Sequence, residues 1–434
     1  MIKIKTTKES IESKGGILLA GKIARKAGLR QIKSTAMKKA GTIITSLFGL
    51  MVEGNSDFES LEAKRYNVLF KEALELPMVY AKETVRLYLE QLAHDTDGII
   101  KQLRESSARI IKGAPLHGLW IEGRHYLPVD IDTVVLDNSK TKKEGVSRTY
   151  QEIDGYHPIM AYVGKEGYML DCELRPGSQH CQKGTPEFIN GVVEQLHTIK
   201  SGCRFLYRLD SGNDAWETLQ TITDAGHYCI IKRNNRRENV EKWLQTAKRH
   251  GKRVEARAGK KVWIGKSLIH PHKKGEVLED IYCVYEVTER KIDRAGNRLL
   301  FPEIEVNSWW TNLKCDVEKV IELYHNHATS EQFHSELKHD MGIERLPSGK
   351  FAVNKILLAI AMNAYNALRY LGQKSIEPEN RKMYRRKRLG KVIRDIICVA
   401  GKLVKHAKSL VFKIYEQDPM QPIFLKLNAA LDST

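Results

Sequence analysis

Four acidic side chains draw attention by where they fall. Asp130 and Asp132 lie two apart inside the apolar, β-branched run Leu127–Leu136, so a strand there turns both to one face. Asp210 closes a second such run, Arg204–Leu209, and Ser211-Gly212 follows, where a ligand can come close to the backbone. Glu331 belongs to a long helical pattern. At about 100° per residue, Tyr324, His327, Glu331 and Lys338 share one stripe of that helix while Glu336 points away. A helix offering a tyrosine, a nitrogen base, a carboxylate and a lysine along one line is suited to touch something anionic.

Carboxylate oxygens are the hard ligands that Mg²⁺ and Mn²⁺ take. Two such ions, about 3.5–4 Å apart, can activate a water or a 3′-hydroxyl and stabilise the leaving oxygen at a phosphodiester. Any one of these acids alone reads more readily as a cap, a turn residue or a solvated helix charge than as a ligand. It is their succession on strand, strand and helix that makes Asp132, Asp210 and Glu331 a candidate catalytic and metal-binding set. The expected cofactor is Mg²⁺ or Mn²⁺, two ions per site. Asp130 is the alternative first acid; Asp132 is favoured because Thr133 follows it.

The elements that must position these groups fall into an α/β pattern. Residues 1–115 read as a helical, basic, DNA-binding region. Within it, Leu18–Leu29 places an alanine four residues before Gly28, as a helix-turn-helix does, although a plain helical hairpin fits the same residues. Lys82–Leu92 is an amphipathic helix with Val85, Tyr88, Leu89 and Leu92 on one face. Residues 116–234 alternate strand and helix: strands over Leu127–Leu136, His157–Val163, Tyr168–Leu174, Arg204–Leu209 and His227–Lys232, helices over Thr185–Ile199 and Asp214–Ala225. This predicts a layered sheet with helices on its faces. Residues 235–312 form a basic, Trp-containing β-rich insertion, residues 313–375 return to helix, and residues 376–434 read as a basic helical tail. Trp263, Trp309 and Trp310 in the insertion are candidates for stacking on a base, with sheet packing as the plainer reading.

Beyond the acids themselves, Tyr324-(2)-His327-(3)-Glu331-(6)-Lys338 resembles the Y-(2)-R-(3)-E-(6)-K motif of hairpin-forming insertion-sequence DDE transposases. Asp132-Thr133 resembles the first catalytic Asp of that group and Arg208-Leu209-Asp210-Ser211-Gly212 the second. Gly155-Tyr156-His157-Pro158, Arg175-Pro176-Gly177 and Asn363-Ala364-Tyr365-Asn366 resemble its connecting segments. The match spans roughly residues 120–370. It implies an RNase H-like mixed sheet flanked by helices and interrupted by the β insertion, and cut-and-paste transposition. It further implies double-stranded DNA with terminal inverted repeats and target DNA as partners, and a homodimer on DNA. Tyr324, His327 and Lys338 then become DNA-binding residues. One departure is plain: His327 stands where the family has arginine, which grips phosphate bidentately at any pH, whereas histidine must be protonated to carry charge. Two other readings use the same residues: a nuclease of this fold without strand transfer, and a non-catalytic DNA-binding protein derived from a transposase.

Composition agrees with a polyanion partner. Lys and Arg number 71 against 53 acidic residues, a net charge of +18, which favours phosphate-backbone binding without naming the polyanion. Seven scattered cysteines, with no Cys-x-x-Cys pair, fit reduced thiols in a cytosol. The N-terminal stretch lacks the apolar core of a secretory signal. Even the richest run, Ile356–Leu368, is shorter than a bilayer span, so no membrane partner is expected. A bacterial cytoplasmic, nucleoid-associated location follows from the resemblance.

Overall fold

The computed structural model describes residues 6–254, 258–269, 272–273, 276–277, 280–293, 295–376, 385–407 and 409–433. Helix α1 (Ile17–Ala27) ends at Gly28, whose φ of 75° reverses the chain in a conformation that costs a glycine nothing. The helix that follows, α2 (Ala40–Val52), is buried along its whole length. It is apolar all round, which makes it a core helix. A recognition helix must expose one face to a DNA groove, so the helix-turn-helix reading of Leu18–Leu29 does not hold, and the plain hairpin does. Helix α3 (Lys82–Leu92) buries Val85, Leu89 and Leu92, as its periodicity predicts. Helix α4 (Thr96–Lys112) completes the N-terminal group.

The sheet begins with β1 (Arg124–Thr133), β2 (Ile159–Val163) and β3 (Tyr168–Glu173), an antiparallel meander. Helix α5 (Thr185–Ile199) crosses to β4 (Arg204–Leu209), and α6 (Trp216–Asp224) crosses to β5 (Tyr228–Lys232). Both β4 and β5 run parallel to β1, giving the order β3-β2-β1-β4-β5. That is a mixed sheet flanked by helices, in the RNase H-like order that the motif resemblance implies.

The β-rich segment adds α7 (Val240–His250), β6 (Lys252–Val254), β7 (Lys260–Ile269), β8 (Ile281–Ile292) and β9 (Arg298–Thr311). Its strands do not close on themselves. The end of β9 pairs antiparallel with β5, Ile230 opposite Thr311 and Lys232 opposite Trp309, so the insertion prolongs the core sheet to β6-β7-β8-β9-β5. Trp263 and Trp309 are buried in this extension. Trp310 is half-buried, its indole N–H donating to Asp214 at 3.0 Å and the Arg233 guanidinium lying 4.3 Å over its ring. The tryptophans are occupied with sheet packing.

After β9 come α8 (Val317–His325), a 3₁₀ turn (Asn326–Ala328), α9 (Thr329–Ser335), a π turn (Glu336–Asp340) and α10 (Phe351–Lys374). Helix α10 is long and apolar enough to cross a membrane, contrary to the sequence expectation, yet 83% of its apolar window is buried inside the protein. The Asn363-Ala364-Tyr365-Asn366 segment lies on this helix. The Asn366 amide accepts from Met169 N at 2.8 Å and donates to Met169 O at 2.7 Å, closing part of edge strand β3.

The tail corrects its helical expectation. Gly401–His406 and Ser409–Ile414 form a hairpin that Ser10–Glu12 joins as a third strand, and among the described residues of the tail only Gln421–Asp432 is a sizeable helix. Val404, Val411 and Ile414, with the aromatic Phe412, favour strand. The tail's basic residues gather between Arg381 and Lys391; of these, Arg381 and Lys382 lie outside the described residues. Arg388 is bound to Asp340 at 2.9 Å, and Arg386 pairs with Glu336. Glu336 is 1% exposed, and also accepts from Arg369 at 2.6 Å and from Leu389 N at 3.0 Å. Removing one member of such a network strands the others in low dielectric. Glu336→Ala is therefore expected to lower unfolding free energy by about 3–5 kcal/mol in urea titration, whereas Glu331→Ala, on an exposed face, shifts it by less than about 0.5 kcal/mol. A Glu336→Ala protein as stable as the wild type would contradict the network.

Candidate active site

The site grows out of the pairing of β1 with β4. In that parallel pair Asp130 lies opposite Arg208 and Ile131 opposite Leu209. Arg208 donates from Nε to Asp130 Oδ1 and from Nη2 to Oδ2, both at 2.7 Å. Because side chains alternate, the next residue on the same face of each strand is Asp132 and Asp210. The two carboxylates are thus set side by side where both strands end. Thr133 N donates to Asp132 Oδ1 at 2.7 Å, and Asn213 Nδ2 donates to Asp210 Oδ1 at 2.7 Å. A Cβ at Gly212 would stand 3.2 Å from both Asp210 carboxylate oxygens and 3.0 Å from Cys181 Sγ, so any larger residue there would crowd the carboxylate.

The third acid arrives on the broken helix. Arg208 Nη1 donates to the Leu323 carbonyl at 2.8 Å, and His327 Nδ1 lies 2.8 Å from Asp130 Oδ1, so the end of α8 is fastened to the same ion pair. The sequence predicts one helix from Val317 to Lys338. Instead the 3₁₀ turn tightens the chain before Glu331 and the π turn loosens it afterwards. The two deviations offset, and Tyr324, His327, Glu331 and Lys338 still face one cavity.

That cavity has a volume of about 590 Å³ and its wall includes Asp132, Asp210 and Glu331 together with Tyr324, His327 and Lys338. Lys338 Nζ donates to Val135 O at 3.0 Å and pairs with Glu344 at 2.9 Å. His327, expected at a phosphate, is 5% exposed with its Nδ1 engaged by Asp130, leaving at most its other ring edge to the cavity. Glu336 does point away, into its arginine network. Sequence reasoning missed His334 and Tyr150, which also line the cavity. His334 could have been found as the residue three after Glu331; its Nδ1 lies 3.9 Å from Asp132 Oδ2. Tyr150 sits in a short hairpin after β1, where no periodicity marks it.

Electrostatics separates the two strand acids. Burial alone would raise the Asp130 carboxyl, but Arg208 and His327 outweigh it and hold it below the ordinary carboxylate range. For Asp132 the balance is reversed: burial first, and then the charge of Asp210, outweigh His327 and the Thr133 N–H and push it up to about 7. Asp130 is thus a buried structural ion and Asp132 the acid that faces the cavity. Burial, with His327 nearby, lowers His334 to about 3 and keeps it neutral.

Among the described residues no three His, Cys, Asp or Glu side chains are close enough together to ligate one ion as they stand. The donor chemistry of the strand pair nevertheless fits a divalent cation: two neighbouring carboxylates open onto a polar cavity, burial and the charge of Asp210 disfavour ionisation of Asp132, and a cation between them removes that penalty. Glu331 lines the same cavity from an exposed helix face and is the donor available to complete the set.

A family model described as Transposase DDE domain group 1 matches residues 1–434. No curated protein matches the chain in sequence. Among solved structures, a cryo-EM structure of the piggyBac transposase synaptic complex with hairpin DNA aligns with a TM-score of 0.44 at 10% identity, over 89% of this chain and 77% of that one.

The raised Asp132 value has a consequence for stability. The folded carboxyl keeps its proton to about pH 7, whereas an unfolded aspartate loses it near pH ~3.9. The folded state binds more protons between those values, so stability falls as pH rises through that window. In metal-free protein, Asp132→Asn is expected to flatten this slope and to stabilise the fold at pH ~8 by on the order of 2–4 kcal/mol. Urea midpoints at pH ~5 and ~8 measure it; the same pH slope in both proteins would contradict the arrangement.

Proposed function

The chain belongs to the transposase DDE domain group 1 family, and from that premise we propose that it excises and inserts an insertion-sequence DNA element by cutting and joining phosphodiesters at Asp132, Asp210 and Glu331. The observation that carries this reading is that three acids, singled out on two strands and a helix, line one polar cavity at the end of the sheet. The family works with divalent metal ions. In the proposed site Asp132, Asp210 and Glu331 hold two, Mg²⁺ or Mn²⁺, which when bound supply activation of the attacking oxygen and stabilisation of the leaving one.

The remaining residues position the substrate. Lys338, its amine already set against the Val135 carbonyl and Glu344, brings positive charge to the cavity wall, where it would hold a DNA phosphate. Tyr324 offers a hydroxyl to a neighbouring phosphate oxygen. His327 acts mainly through Asp130, as a positioning residue that keeps the Glu331 helix over the strand ends. The substrate is double-stranded DNA ending in terminal inverted repeats. The freed 3′-hydroxyls attack target DNA within a homodimer that holds both ends. Residues 116–234 and 313–375 form the catalytic core in this scheme, with residues 235–312 inserted between them and residues 1–115 and 376–434 contacting DNA. The net charge of +18 supports that last assignment. The setting would be a bacterial cytoplasm, at the nucleoid.

The test is a plasmid bearing the gene with its native flanks, incubated with the full chain and Mg²⁺. Excision and joining are expected from the wild type. Asp132→Asn, Asp210→Asn and Glu331→Gln should each lower both by about a thousandfold or more while retaining DNA binding. Cleavage without joining would support a nuclease instead, and bound but intact DNA under both Mg²⁺ and Mn²⁺ would overturn the catalytic reading.

A further inference from the structure

Among the described residues the cavity wall carries four histidines, and His334 differs from the rest. His327 is bound to Asp130 at 2.8 Å, His339 faces Glu344 at 3.8 Å, and the His325 ring packs edge-on against Trp309. His334 is buried, with the Tyr162 ring against it at 5.5 Å between centroids. Its enclosed Nε2 has no hydrogen-bond partner, and its Nδ1 stands 3.9 Å from Asp132 Oδ2, beyond hydrogen-bond reach. Leaving a buried polar group unsatisfied costs on the order of 1–3 kcal/mol, so packing alone does not account for a histidine here. The 3.9 Å gap has a use, however. Ligand atoms about 2.1 Å from one ion lie about 3.0 Å apart when adjacent and about 4.2 Å apart when opposed. The separation of Nδ1 from the Asp132 oxygen falls between those limits. Helical spacing supplies the neighbouring donor. Glu331 and His334 are three apart on α9 and both line the cavity. A Glu-x-x-His pair on one helix face is a ligand pattern that carboxylate-rich dimetal sites use. Beside the strand acids the chain thus offers a carboxylate and an unengaged imidazole nitrogen, and neutral imidazole is a common metal ligand.

We propose that His334 is a fourth metal ligand, its Nδ1 binding the same divalent ion as the Asp132 carboxylate. This rests on the reading of the cavity as a metal-dependent DNA-cutting site. An imidazole ligand favours a transition-metal ion such as Mn²⁺ over Mg²⁺, which keeps to oxygen donors. The test loads the full chain, carrying ¹⁵N-labelled histidine, with Mn²⁺ alone and records its pulsed EPR spectrum. The wild type should show a histidine nitrogen bound directly to the ion. His334→Gln should lose that coupling and weaken Mn²⁺ binding by about tenfold or more in titration calorimetry, with Mg²⁺ binding less affected. His325→Gln and His339→Gln, on the same wall, should keep both, which assigns the nitrogen even where His334→Gln does not fold. Mn²⁺ held by oxygen alone in the wild type, a coupling that survives in His334→Gln, or one lost in His325→Gln or His339→Gln overturns the proposal and leaves the three-acid site intact. A wild type that binds no Mn²⁺ defeats both this inference and the metal-dependent reading on which it rests.

Discussion

The geometry of this protein turns on a buried pair of opposite charges, Asp130 and Arg208, each less than 5% exposed. Two hydrogen bonds join them across neighbouring parallel strands, the arginine's third nitrogen donates to the carbonyl of Leu323, and His327 completes the carboxylate. A buried ion pair contributes little net stability over apolar packing, but an alternative arrangement that breaks it is heavily penalised. Here that penalty selects one register of β1 against β4 and one seat for the helix that follows the β extension. Asp132 and Asp210 are consequences of that register: fixed one step beyond the clasp, they are held close although their charges repel. The same clasp thereby sets two carboxylates side by side at the cavity wall, a donor pair of the kind that divalent cations take.

The helix bearing Glu331 is held at both ends and left free in between. Its start is bound by Arg208 and His327, and its end by Lys338 on the Val135 carbonyl and by Glu336 between Arg369 and Arg386. His327 and Lys338 share the Glu331 stripe but are tied down by their own partners, which leaves Glu331 exposed between them and available to a ligand. The sheet extension contributes rigidity on the other side, with Trp309 packed against Tyr324 at 5.6 Å between ring centroids.

Much of this was legible in the sequence, and for identifiable reasons. Strands with period-two patterning and helices bounded by glycine or proline, such as Thr185–Ile199, fall where the pattern puts them. The strand acids were conspicuous because carboxylates inside apolar runs need a reason. Other features depend on contacts between distant parts of the chain. Periodicity could not show that α2 is enclosed on every side, nor that β9 would join β5 and turn an insertion into an extension of the sheet. The 3₁₀ and π turns flanking Glu331 leave no mark in a pattern of 3.6 residues. The tail hairpin was hidden by its lysines, and Tyr150 by lying in a turn.

The central claim is that metal held by Asp132, Asp210 and Glu331 acts directly on a DNA phosphate, and sulfur substitution at the cut phosphate tests it most directly. Replacing a non-bridging oxygen there with sulfur offers a soft ligand that Mg²⁺ binds poorly and Mn²⁺ tolerates better. Cleavage of that end should be lost in Mg²⁺ and recovered in Mn²⁺ for one sulfur stereoisomer. Equal cleavage of oxygen and sulfur substrates in Mg²⁺, or a loss that Mn²⁺ does not relieve, would contradict a metal-bound phosphate at these three acids.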